Sequence, residues 1–163
     1  MRAIAGFLLK QPEAFISGIL LGCIGLLIFF EVFARFLFHY TPSGIEEVKT
    51  LFFIWFVFLG SVAAMRRKGH VRIEFFVSRL SPLRQQFFLI LVDVLVLIFL
   101  GVLAFYGLIY TRLEMLSVSA ILEIPEGYFA FSIPVASFLM ALYCALSLKG
   151  NLKKFFRMRG ENS

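Results

Sequence analysis

An all-α integral membrane protein with four transmembrane helices is the fold this sequence predicts, and three observations predict it. Of 163 residues, 61% are hydrophobic and 22 are phenylalanine, which is far too apolar for an ordinary soluble domain. Four apolar runs, at about 14–34, 45–65, 86–109 and 127–148, each approach the roughly 20 residues that a helix needs to cross about 30 Å of hydrocarbon. Finally, the basic residues alternate. The first leader, second connection and tail together hold 13 of the 16 Lys and Arg, against 3 in the first and third connections. The positive-inside rule then places both termini in the cytoplasm. The net charge of +6 is therefore read as topological rather than as a footprint for nucleic acid. The whole chain forms one membrane domain with little left over for a soluble catalytic unit.

The first run is too long for a typical signal-peptide core and lacks an A-x-A-like site after it, so it is expected to remain as a span. Gly18 and Gly22 have the small-xxx-small spacing that lets membrane helices approach closely. Near its end Glu31 and Arg35 stand four apart with the acid first, the favourable order for an intrahelical ion pair. A proton- or substrate-binding Glu31 is the sharper alternative.

The second run begins with Ser43-Gly44-Ile45-Glu46-Glu47. Ser43 and Glu46 fit a capping box, and acids suit a helix N-terminus. Glu47 points to another side, and Arg35 is the expected partner across the short connection, in this subunit or through a neighbour. Trp55 lies near the centre of its span, where an interfacial anchor does not belong. It is expected to fill a helix–helix contact with its N–H bonded there, on a face turned toward a partner protein. Gly60 would admit a partner backbone beside it. A lipid-facing Trp55 tolerated for its bulk is the plainer reading.

The second connection, Arg66-Arg67-Lys68-Gly69-His70 and onward, mixes apolar and charged residues and suits an interfacial segment. His70 is ordinarily a solvated interfacial residue, and a single histidine makes a poor metal site. Ser81-Pro82 should open the third helix. Asp93 lies roughly 10 Å into that span, seven residues beyond Gln86. A carboxylate at that depth is a functional candidate or a hydrogen-bonding link to a neighbouring helix. Pro134 should interrupt the fourth helix, while Ser137, Ala141 and Ala145 offer a close-packing stripe. Cys23 and Cys144, the two cysteines, form no C-x-x-C or Cys/His pattern, so neither a disulfide framework nor a metal site is expected. No cofactor and no enzymatic activity are expected either, because no nucleophile, metal or acid–base constellation can be assembled.

In order along the chain, Arg35-Phe36-Leu37-Phe38, Glu46-Glu47-Val48, Phe53-Ile54-Trp55, Phe58-Leu59-Gly60 and His70-Val71-Arg72-Ile73-Glu74 form one set. Ser119-Ala120-Ile121-Leu122-Glu123-Ile124-Pro125, Tyr128 and Ile133-Pro134 follow. The set resembles the small membrane (Q) subunit of tripartite ATP-independent periplasmic (TRAP) transporters. Gly127 departs from it, standing where a bulky aromatic residue is expected. The resemblance implies a location in the bacterial inner membrane among its lipids. It implies two protein partners: a large multi-span permease subunit and a periplasmic substrate-binding protein. Sodium and an organic acid of the dicarboxylate or sialic acid class would be carried by the large subunit, which this chain would brace. The competing class is an autonomous proton-coupled transporter using Glu31 or Asp93.

Overall fold

The computed structural model describes residues 12–39, 43–67 and 82–160. His70 and the expected interfacial segment lie outside the described residues, as does Ser81. Four long helices and one single turn account for most of the rest. Helix α1 spans Pro12–Phe38, α2 Ile45–Arg67, α3 Pro82–Glu114, α4 Gly127–Ala130 and α5 Ser132–Gly160. The long helices have 27, 23, 33 and 29 residues, so each exceeds what a hydrocarbon crossing requires. All four candidate spans are apolar enough to cross a membrane, the last combining α4 with α5. The helices run past the apolar runs because polar end residues such as Glu13, Arg66 and Asn151 continue them and pair there.

The four helices pack in a row, not a closed bundle. Helix α1 lies along α2, α2 along α5, and α5 along α3, so α5 separates α2 from α3. Row packing leaves broad apolar faces uncovered, and Leu26, Phe29, Leu95, Ile98 and Phe138 are all exposed.

Where helices do meet, small residues predominate. Val62 and Ala63 of α2 are buried, as are Ala136, Ser137 and Cys144 of α5. The tightest stripe on α5 is Ser137, Cys144 and Asn151, one residue every two turns, instead of the expected Ser137, Ala141 and Ala145; Ala145 is exposed. At the α3–α5 crossing, a Cβ on Gly107 would lie 3.0 Å from Ile133 Cγ2 and 3.2 Å from Pro134 Cδ. Gly107 thus lets the proline ring sit against the α3 backbone. By contrast, a Cβ on Gly18 or Gly22 would meet nothing within 4 Å. Among the described residues, nothing packs against the small-xxx-small pair.

Pro134 interrupts the last span as expected. Phe131 keeps right-handed helical angles (φ −62°, ψ −21°), but α4 ends before it and α5 begins after it. Proline has no N–H to give the carbonyl four residues back, so the ladder breaks there. Gly127 is buried, and an added Cβ would lie 2.6 Å from Met115 Cγ and Sδ. Met115 occupies the space a larger side chain would need.

Candidate functional site

Among the described residues, the paired polar groups gather toward the two ends of the helices. At one end, the α1–α2 turn meets residues 115–126, which join α3 to α4. That connection folds as a small antiparallel loop. Ser119 N–H donates to Ile124 O at 2.9 Å and Glu126 N–H to Ser117 O at 3.0 Å. Glu123 takes a positive φ of 54° at the bend. The tip of the loop closes on Glu47. Its carboxylate accepts from Ser119 Oγ (2.7 Å), Leu122 N–H (2.9 Å) and Ile121 N–H (3.0 Å). One acid in the first turn of α2 therefore satisfies three donors from residues more than seventy positions away.

This arrangement corrects the expected Arg35–Glu47 link within the chain. Consecutive helical residues differ by about 100°, so Glu47 and Lys49 face nearly opposite ways. Lys49 faces α1, where it binds Glu31, and it reaches Glu46 at 2.9 Å. Arg35 meets Glu31 at 3.4 Å, the i,i+4 pair that the spacing predicts. The result is a chain of charges, Arg35–Glu31–Lys49–Glu46, stitching α1 to α2, with Glu31 buried at its centre. Glu46 accepts from Lys49 through one carboxylate oxygen.

Trp55 fills an internal contact. Its Nε1–H donates to the Tyr128 carbonyl at 3.1 Å, and its ring lies 6.4 Å from that of Phe131. The expected helix–helix bond exists, but its acceptor belongs to this chain, so the indole N–H does not call for another subunit. Gly60 is different: a Cβ there would meet nothing within 4 Å. No neighbour within the described residues uses the opening.

Toward the opposite end, Asp93 joins a polar network between α3 and α5. Its Oδ2 accepts from Asn151 Nδ2 (2.7 Å) and Ser147 Oγ (3.2 Å). Gln86 Nε2 donates to Asn151 Oδ1 (3.0 Å), and the Cys144 thiol donates to the Asp93 carbonyl (3.3 Å). Asp93 thus acts as the hydrogen-bonding link between helices. A second cluster escaped the sequence reading. Arg66 Nη1 donates to buried Glu13 at 2.6 Å and to the Tyr143 hydroxyl at 3.2 Å, while that hydroxyl donates to Glu13 at 3.2 Å. The guanidinium also lies 5.2 Å from the Tyr143 ring centre. This triad fastens the start of α1 to the end of α2 and to α5. A single sequence offers no signal pairing residues 53 and 130 positions apart.

Between the flanks of α2 and α3, floored by the α4–α5 segment, lies an open cleft of about 520 Å³. Its α2 wall descends from Glu46 through Thr50 and Ile54 to Phe58, and its α3 wall carries Tyr110 and Glu114. Glu126 stands at the mouth, with Phe129 and Ile133 below. Among the described residues, no group of three or more His, Cys, Asp or Glu is placed to hold a metal ion.

Comparison with known proteins agrees with this architecture. Residues 24–154 match the family described as tripartite ATP-independent periplasmic transporters, DctQ component. The chain is also 29% identical over 161 residues to a Haemophilus influenzae protein assigned as a TRAP transporter small permease. The alignment covers 99% of this chain and 98% of that relative.

Proposed function

This chain belongs to the DctQ component family of TRAP transporters, and from that premise we propose that it braces the large permease subunit without itself carrying substrate. A multi-pass small permease of this family acts within a transporter. The observation that carries the bracing role is the open row combined with its internal pairing. Two buried carboxylates, Glu13 and Glu31, are bound to Arg66 and to Lys49 with Arg35. Glu47 and Asp93 are likewise held by donors of this chain. A carrier needs a charged group free to exchange its ligand. These groups are instead fastened helix to helix, while whole helix faces stay uncovered.

In this reading both termini are cytoplasmic in the bacterial inner membrane, and the Glu47 loop faces the periplasm, where a substrate-binding protein delivers its cargo. The large subunit carries sodium and an organic acid of the dicarboxylate or sialic acid class. Gly60 lies on a face that subunit covers. The autonomous proton-coupled alternative loses support because Glu31 is locked by two cations and Asp93 by two neutral donors. The test is affinity purification of the tagged chain from its native membrane. The large permease should copurify with it, and recovery of the chain with no large permease would overturn the proposal.

A further inference from the structure

The cleft between α2 and α3 is polar at its mouth and apolar below, a gradient that matches an amphiphile. From Glu46 to Phe58 the α2 wall descends roughly 18 Å. A volume of about 520 Å³ falls in the range of small-molecule sites. A helix is about 10–12 Å wide with its side chains and would need roughly 1,400–2,000 Å³ over the same length. The cleft therefore has room for a single extended chain along its length.

Charge selects the head. The whole protein is basic, at +6, yet among the described residues the ionisable groups lining the cleft are four glutamates and one tyrosine, with no Lys or Arg. Glu47 is already saturated by the loop, and Glu46 shares its charge with Lys49. Glu114 is hydrogen-bonded by the Tyr110 side chain, which still leaves acceptor capacity on Glu114 and on Glu126 to face an incoming head group. An anionic head would be repelled there, whereas a primary ammonium would gain charge-assisted hydrogen bonds.

We propose that this cleft binds one phospholipid with a primary-amine head group. One acyl chain lies between Ile54, Phe58 and Ile133, and the ammonium sits between Glu114 and Glu126. The lipid completes the gap that row packing leaves between α2 and α3.

Trp55 is the single tryptophan and adjoins Ile54 on the cleft wall, so it can report occupancy. The full chain would be placed in vesicles of equal phosphatidylethanolamine and phosphatidylglycerol, with the acyl chains of one lipid or the other brominated. Surrounding lipid quenches Trp55 equally in both cases. A bound amine lipid should add quenching only when phosphatidylethanolamine carries the bromine. That excess should vanish in the Glu114→Gln/Glu126→Gln variant, whose changes are isosteric. It should also vanish in Thr50→Phe, which narrows the mouth and keeps every carboxylate. Equal quenching in the wild type, or an excess that survives either variant, would overturn the proposal. Native mass spectrometry of the assembled transporter should retain phosphatidylethanolamine in the wild type and lose it in the double variant. A lipid-free wild-type assembly would assign the cleft to protein and overturn it as well.

Discussion

Glu47 shows how much one side chain organises here. Its carboxylate gathers the Ser119 hydroxyl and two backbone N–H groups of the 119–122 loop, and charged acceptors make the stronger kind of hydrogen bond. Glu47→Ala should release that loop, increasing deuterium exchange at Ile121 and Leu122 at least tenfold. Ser119→Ala removes one donor of three and should do much less. Equal exchange in both variants would show that the loop holds itself. Trp55 offers a graded comparison. Trp55→Phe keeps the ring packing against Phe131 but loses the bond to Tyr128 O, at about 0.5–1.5 kcal/mol. Thermal unfolding in detergent should show that loss without the large subunit present, because both contacts are internal. The Glu31–Arg35 pair was legible in the sequence, since a spacing of four fixes neighbours on a helix. The true partner of Glu47 was not, because a loop seventy residues distant leaves no periodic trace.

Among the elements, the α3–α5 pair is held by the Gln86–Asn151–Asp93–Ser147 network and by the close approach of Gly107 to Pro134. Interhelical hydrogen bonds within membranes average only about 0.6 kcal/mol. Asp93→Ala removes two, so a loss of about 1–2 kcal/mol is expected in a thermal or denaturant titration of the folded chain. A much larger loss of transport at unchanged stability would give Asp93 a direct role instead. Gly127→Ala must displace Met115, an exposed and flexible residue, so its cost falls near the low end of overpacking, about 1 kcal/mol. Met115→Ala should recover it. Pro134 announced its break in the sequence because a missing N–H is a local fact. The buried Ser137–Cys144–Asn151 stripe did not, because three different residue types share no common signal.

The whole molecule was legible as four spans, since length and hydropathy decide that much. The row arrangement was not, because each helix is apolar nearly all round and its pattern does not say which face meets a neighbour. That openness is what the proposed bracing role requires. Gly60→Leu should leave the isolated chain as stable as before, because open space surrounds the position, yet it should weaken copurification if the large subunit packs there. Topology can be read with single cysteines in a background lacking Cys23 and Cys144. Labels at the exposed Ser43 and Ser117 should react from outside, and one at Gly150 should not. The most direct measurement is substrate flux in proteoliposomes containing this chain, the large subunit, or both, with the binding protein and an ion gradient supplied. The account predicts no coupled uptake by this chain and full uptake when both subunits are present. Sodium- or proton-driven flux through this chain by itself would contradict it.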